Sequence, residues 1–157
     1  SGTPLSETTL KNKVFEVDGI RVGVFGLGIE LNGLVNPKLY GDVRYNDPIA
    51  EANAQGDFLK NEQGCDIVVC LSHLGYKYES NKVDDHKLAE AVNGIDLILG
   101  GHTHTFLEKP TKYVNKEGFE TIINQVGWAG INLGRIDVNF SIGGEKQMTS
   151  NVLPVIA

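Results

Sequence analysis

The sequence has no excess of basic residues: 14 Lys and Arg face 20 Asp and Glu, and the net charge at pH 7 is −6. Without a basic field, polymeric nucleic acid and anionic membrane surfaces are excluded as expected partners. No apolar run reaches the roughly 18 residues that a transmembrane helix requires, and no charged and then apolar leader opens the chain. We therefore expect no transmembrane segment, and any export signal would lie upstream of Ser1.

Cysteine is also scarce, because only Cys65 and Cys70 are present. They lie five positions apart in one predicted strand, so we expect them to face opposite sides of the sheet and not to form a disulfide. Glycine, in contrast, occurs 19 times in a chain of 157 residues that is 41% hydrophobic and 22% charged. This composition is typical of one globular domain with many tight turns, or of a piece of a larger unit.

Apolar runs and helical segments alternate in the middle of the chain. Runs at 20–25, 65–71 and 95–99 predict buried parallel strands, and helices predicted at 47–63 and 84–93 connect them. Right-handed crossovers place such strands side by side with their carboxyl ends at one edge of the sheet. The fold class is therefore α/β, with a mixed sheet built on a βαβαβ core.

Antiparallel strands are predicted on both sides of this core. Asp18-Gly19 indicates a hairpin before it, and strands at 111–114, 119–126, 134–140 and 152–155 follow it, the last two joined by a turn at Gly143-Gly144. Residues 29–46 are irregular and long enough to form one wall of a pocket. Residues 1–12 are expected to be a linker or a cloning remnant, and residues 13–157 the folded part.

Histidines follow two consecutive parallel strands. His73 comes directly after the strand at 65–71, and His102 and His104 follow the strand at 95–99 in a Gly-Gly-His-Thr-His stretch. In extended backbone the last two would point to the same side. Because the strands end at one edge, the three imidazoles can converge as a minimal metal-binding set, compatible with zinc, iron or manganese. Solvated histidines in a surface turn are the alternative.

His86 is interpreted differently. It follows Asp84-Asp85 at the start of a polar helix, so we expect a surface imidazole.

The ordered histidine motifs resemble those of a known family. Leu71-Ser72-His73-Leu74-Gly75, followed by Leu99-Gly100-Gly101-His102-Thr103-His104, is similar to the last two ligand motifs of calcineurin-like metallophosphoesterases, in particular the 5′-nucleotidase branch. The resemblance extends from about Lys13 to Phe140, because a later strand is also similar: Asn124-Gln125-Val126-Gly127, Gly130 and Leu133-Gly134-Arg135.

This resemblance implies a two-metal site on an α/β/β/α sandwich. His73 and His102 would bind one divalent ion and His104 the other, with manganese, zinc or iron as the metals. The pair of ions would hold the phosphoryl group of a nucleoside monophosphate or similar phosphomonoester and activate water, so that no Ser or Cys nucleophile is needed. The resemblance also implies a periplasmic or cell-surface location.

The sequence departs from the family upstream of His73, where its Asp-x-His, Gly-Asp and Gly-Asn-His-Asp/Glu motifs are absent. We therefore expect residues 13–157 to form the C-terminal half of the domain, with no catalytic side chain identified and little activity in isolation. Its exposed apolar face would be covered by the missing N-terminal half, by self-association or by rearrangement. A non-catalytic interaction or assembly module that retains half of the fold is the competing hypothesis.

Three residues beyond the histidines are candidates for substrate contact. Asn124 and Gln125 could bind a substrate oxygen, with capping of backbone groups as the alternative. Trp128 could stack on a base, with a position in the core or at the rim of a pocket as the alternative.

Overall fold

Strands dominate the structure, a computed structural model that describes residues 8–141 and 145–155. In chain order the strands are β1 (Asn12–Val17), β2 (Ile20–Leu27), β3 (Ile67–Ser72), β4 (Leu97–Leu99), β5 (Thr111–Val114), β6 (Glu120–Asn124), β7 (Asn132–Phe140) and β8 (Lys146–Pro154). The α-helices are α1 (Pro37–Tyr40), α2 (Pro48–Asp57) and α3 (Asp85–Ala91). Of the linker predicted at residues 1–12, residues 1–7 lie outside the described ranges, as does the turn predicted at Gly143-Gly144.

Six strands form a mixed sheet in the order β1-β2-β3-β4-β6-β5. β2, β3, β4 and β6 are parallel, which confirms the βαβαβ core, while β1 and β5 run antiparallel to their neighbours at the two edges. The prediction that all strands after residue 105 are antiparallel is wrong for β6, because it pairs in parallel with β4. The site-bearing edge of the sheet therefore receives a third loop, which follows β6.

Both long helices begin where the sequence predicts. The side chains of Asp47 and Asp84 each accept a hydrogen bond of 2.8 Å from the backbone N–H of the third helical residue, and Pro48 occupies the first helical position. α2 continues as a π-helical turn (Phe58–Glu62), and Gly64, with φ of 61°, ends it. Within the described residues, no helix combines the length and the apolar composition needed to cross a bilayer.

The large sheet is covered on both faces. α2 and α3 pack on one face, where the core contains Ala52, Leu59, Val68, Cys70, Leu88, Ala89, Val92, Ile98 and Ile123. β7 and β8 form a separate antiparallel sheet that packs on the other face through Ile136, Val138, Phe140 and Met148. The structure therefore has three layers, one of helices and two of strands, as the predicted half-sandwich requires.

Two details of the sequence prediction are wrong. Cys65 and Cys70 do not face opposite sides of the sheet, because both lie in the core on the helix side. β3 begins only at Ile67, so Cys65 lies before the strand and does not follow the alternation of its side chains. Both cysteines are free thiols, as expected. The last strand also begins earlier than the predicted 152–155, because the mostly polar stretch Lys146–Ser150 already belongs to it.

The irregular segment lines a pocket, as predicted. Residues 29–32 and 40–45 enclose about 590 Å³, and none of the predicted histidines is among the lining residues.

A buried carboxylate links the two sheets. Asp96, at the amino end of β4, accepts hydrogen bonds of 2.7 Å from Lys60 Nζ and from the backbone N–H of Val68. Its other oxygen pairs with Nζ of Lys146, the first residue of β8. The smaller sheet is therefore tied to the larger one at the edge opposite the histidines.

Candidate metal centre

Three loops meet at the carboxyl edge of the parallel strands. Residues 73–75 follow β3, residues 100–107 follow β4, and residues 125–131 follow β6. A backbone hydrogen bond of 2.9 Å from Gly127 N to Thr105 O joins the second loop to the third. Parallel strand order thus brings both histidine motifs to one edge, as the sequence predicts.

His73 and His102 lie side by side at this edge. Their ring centroids are 5.3 Å apart and the rings are nearly perpendicular. A Cβ at Gly101 would stand 3.0 Å from His73 Nδ1, so glycine permits this close approach. Burial, and then the charge that His73 can carry, lowers the pKa of His102 and favours its neutral form, which is the form that binds metal.

His104 does not complete a three-donor group with this pair in the described part of the chain. The prediction of extended backbone is wrong, because His102 and His104 both have left-handed backbone, with φ of 71° and 54°. This local turn aims His104 at Trp128, where the two rings stack with centroids 5.5 Å apart and an interplanar angle of 12°.

The residues present fit part of a metal centre. Two imidazoles at one strand edge are suitable donors for a borderline divalent ion. In residues 8–141 and 145–155, however, no three side chains of His, Cys, Asp or Glu are grouped closely enough to hold an ion. A complete centre at this edge requires donors in addition to those that the described chain groups together.

Gln125 fixes the loop that carries the histidines. It is 2% exposed, and its Oε1 accepts hydrogen bonds from Thr103 Oγ1 at 3.0 Å and from the backbone N–H of Thr105. Its Nε2 donates to the carbonyl of Gly101 at 2.8 Å. The capping role considered for this residue is thereby confirmed, and its amide is already engaged within the protein.

Replacing Gln125 with Leu is expected to lower the free energy of unfolding by about 3 kcal/mol, because it strands polar groups of the loop without partners. Urea denaturation would measure the loss. Gln147→Leu is the matched control: Gln147 is exposed on β8, and a change within about 0.5 kcal/mol is expected there. Equal effects of the two substitutions would contradict the bracing role of Gln125.

The other two candidates for substrate contact differ from each other. Asn124 is 5% exposed, its backbone carbonyl accepts a 2.8 Å hydrogen bond from Gly100 N, and its Oδ1 has no partner within the described residues. Trp128 is 55% exposed and rests on His104. A position in the core is therefore wrong for Trp128, which lies at the rim.

A buried carboxylate that the sequence did not single out lies beneath both motifs. Asp85 is fully buried and accepts a 2.5 Å hydrogen bond from Ser72 Oγ, while its Oδ2 has no partner in the described part of the chain. A Cβ at Gly100 would overlap that Oδ2. Burial raises the pKa of Asp85 to about 7. Asp84 caps the helix, which is sufficient to explain the acidic pair Asp84-Asp85, so the sequence alone does not reveal this contact of Asp85.

The surface position expected for His86 is wrong. Its ring is half-buried between Tyr76 and Tyr113, with centroids 4.6 and 5.9 Å away, and burial lowers its pKa. The helix that carries it packs against β5, which sequence periodicity alone does not reveal.

The sequence matches a known family over most of its length. Residues 6–106 match the calcineurin-like phosphoesterase family. The chain is 34% identical, over 91% of its length, to the trifunctional nucleotide phosphoesterase protein YfkN of Bacillus subtilis, and 28% identical, also over 91%, to a 5′-nucleotidase of Vibrio vulnificus. It spans 9% and 29% of the lengths of these two relatives.

Solved structures show the same likeness. The 5′-nucleotidase precursor of Thermus thermophilus superposes on 96% of the chain with a TM-score of 0.82 and 30% identity, and the chain covers 31% of that protein.

Proposed function

Because the chain belongs to the calcineurin-like phosphoesterase family, we propose that it forms part of a 5′-nucleotidase-like enzyme that hydrolyses nucleoside monophosphates. The observation that carries the proposal is the pairing of His73 and His102 where two parallel strands end. Relatives that act on nucleotides by name match over most of the chain. The substrate and the activity of the complete protein are both part of the proposal.

Members of this family generally use two metal ions, which polarise phosphoryl oxygens and acidify water when bound. In the proposed enzyme, His73 and His102 would hold one ion, and His104 would contribute to the other. Manganese, zinc and iron all suit imidazole donors. Gln125 keeps the loop that bears His102 and His104 in one conformation.

The remaining donors come, in this proposal, from an upstream half of the same domain. A mainly apolar groove of about 430 Å³ between the two sheets offers a docking surface for it, lined by Val17, Asp18, Ile20, Val22, Ile67, Val69, Leu97, Ile136, Val138 and Phe140. Within the described residues β7 and β8 pair only with each other, so each keeps one edge open to a further strand. Residues 13–157 would then be the C-terminal half of the domain.

The Thermus relative is described as a precursor. Export of the complete protein to the periplasm or cell surface is accordingly part of the proposal.

Complementation tests the proposed function. The isolated chain is expected to bind manganese or zinc weakly and to leave p-nitrophenyl phosphate unhydrolysed, because its described residues group fewer than three donors. Addition of an upstream half that carries Asp-x-His and Gly-Asn-His motifs is expected to produce hydrolysis. His102→Ala should abolish that activity, while His86→Gln, which alters a histidine outside the edge, should retain it.

Robust hydrolysis by the isolated chain would refute the incomplete-site proposal. Absence of hydrolysis both without and with the added upstream half would favour the competing candidate, a non-catalytic assembly module. The observation that favours this second candidate is that the described residues group no three metal donors.

Self-association of the isolated chain is a separate prediction. The apolar groove between the sheets loses contact with water when a second copy covers it, which is favourable. Sedimentation velocity over a concentration series should show a sedimentation coefficient that rises with concentration. A single monomeric species at the highest concentration would contradict the prediction.

A further inference from the structure

One hydroxyl group joins the two loops that carry the histidine motifs. Thr103 lies between His102 and His104 in the loop after β4, and its Oγ1 accepts a hydrogen bond of 2.9 Å from the backbone N–H of Tyr76. Tyr76 lies three positions after His73. This bond therefore connects the backbone that presents His73 to the backbone that presents the other two histidines.

The hydrogen-bonding capacity of this hydroxyl is fully used. A threonine hydroxyl has one hydrogen to donate and two lone pairs that accept. Its hydrogen goes to Oε1 of Gln125 at 3.0 Å, so in the contact of 3.0 Å with the Thr105 hydroxyl it is Thr105 that donates. The Tyr76 N–H occupies the second lone pair. Because Gln125 follows β6 directly, the Thr103 side chain links the segments that follow β3, β4 and β6.

The methyl group of Thr103 packs against the His73 loop. Gly75 has a φ of 104°, and a Cβ there would stand 2.9 Å from Thr103 Cγ2 and would overlap the Tyr78 ring. Glycine at this position therefore lets the loop approach Thr103 closely. The backbone N–H of Asp85 donates a hydrogen bond of 2.9 Å to the Gly75 carbonyl, so the start of α3 holds the loop in this contact.

We propose that Thr103 is a positioning residue that couples the His73 loop to the His102 loop, so that the two imidazoles bind one divalent ion as a unit. The inference rests on the metal-binding part of the proposed function. Thr103 supplies no ligand in this role and acts through the two histidines. Because donors on joined loops lose less freedom on binding than donors on loops that move separately, the link raises the affinity for the ion.

Zinc binding to the chain itself, measured by isothermal titration calorimetry, tests the coupling. Thr103→Val keeps the shape of the side chain and removes the hydroxyl, and we expect it to weaken zinc binding about tenfold, the effect of one lost hydrogen bond that leaves its partners unpaired. Thr103→Ser keeps the hydroxyl and should stay within about threefold of the parent. His102→Ala should abolish binding, which assigns the ion to the histidine edge.

Thr105→Val is the matched control, because it removes one hydrogen bond of the same hydroxyl but leaves the bond to Tyr76 in place. Its zinc affinity should stay within about threefold of the parent. Equal losses in Thr103→Val and Thr105→Val would indicate a general loosening of the network and would overturn the proposal, as would equal losses in Thr103→Val and Thr103→Ser.

Amide hydrogen exchange of Tyr76 in the parent gives a readout that does not depend on the folding of a variant. Coupling between two events is reciprocal, so if the Thr103 bond strengthens zinc binding about tenfold, saturating zinc should slow exchange of the Tyr76 amide by the same factor. The Gly118 amide, bonded to the Asn115 carbonyl at 3.0 Å in the turn between β5 and β6, is the reference and should not change. Equal slowing at both amides, or none at Tyr76, would contradict the coupling.

Failure of this inference can be told apart from failure of the proposed function. Parent-like zinc affinity in Thr103→Val, together with hydrolysis by the complemented enzyme, would overturn the positioning role and leave the proposed function standing. Weakened zinc binding in Thr103→Val and zinc-dependent protection of Tyr76, without hydrolysis of any phosphomonoester, would support the positioning role and refute the proposed function.

Discussion

Replacing Asp85 with Asn is expected to raise the free energy of unfolding at pH 8 by up to about 4 kcal/mol. Burial raises the pKa of Asp85 from 3.8 to about 7, and the Ser72 hydrogen bond offsets only part of that cost. Because a tenfold change in proton affinity is worth about 1.4 kcal/mol, the two pKa values differ by about 4 kcal/mol in free energy. Asn presents a similar shape without a charge to bury.

The sign of the pH dependence follows from proton binding. Between pH 3.8 and about 7 the folded protein holds a proton on Asp85 that the unfolded chain releases. The contribution of this carboxyl to stability is therefore complete below pH 3.8 and is lost as the pH rises through about 7. Asp85→Asn should remove this decline, so its advantage over the parent should grow across that window and level off above it.

Asp84 supplies a matched control, because it is the neighbouring residue and is equally buried. Burial would raise its pKa, but hydrogen bonds from Lys87 and from the backbone of Tyr78 outweigh burial and lower it. Asp84→Asn should therefore reduce stability at neutral pH. Urea denaturation of the parent and both variants at pH 4.5, 6 and 8 measures the effects, and the same pH profile in the parent and in Asp85→Asn would refute the prediction.

Replacing Gly100 with Ala is expected to cost about 3 kcal/mol, at the upper end of the usual range for overpacking. The new Cβ would overlap Asp85 Oδ2 and stand 3.1 Å from Gln125 Nε2. Neither group can withdraw easily, since Ser72 holds the first and the carbonyl of Gly101 holds the second.

Gly28→Ala is the control for this substitution, because Gly28 follows β2 at the same edge and has open space around it. A change below about 0.5 kcal/mol is expected there. Combining Gly100→Ala with Asp85→Ala should recover about 1–2 kcal/mol of the loss, since the overlapping oxygen is removed. Strict additivity of the two substitutions would show that the clash lies elsewhere.

The parallel core was predictable because its signals are local. Continuous apolar runs such as 65–71 and the caps at Asp47 and Asp84 determine strands and helix starts without reference to distant residues. Once the strands are parallel, the shared edge of His73 and His102 follows from topology alone.

The fine geometry of the edge depends on contacts between distant residues. His102 and His104 follow a strand and were expected to be extended, but Gln125, more than 20 positions later, holds the loop in left-handed turns instead. Asp85 and Gly100 touch across 15 positions, and neither residue type signals the other. His86 was placed on the surface because its helix is polar, whereas β5 covers it.

The ion pair of Asp96 with Lys146 affects which segments can occupy the groove between the two sheets. It ties the two sheets together from within this chain, so the groove between them is already formed without an added segment. An open strand edge pairs with another strand through backbone hydrogen bonds, and an apolar surface accepts any side chains of suitable volume. If, as proposed, an upstream half completes the domain, one taken from a distant relative should dock as well as the protein's own, and mismatches should appear first at the histidine edge, where polar groups must align individually.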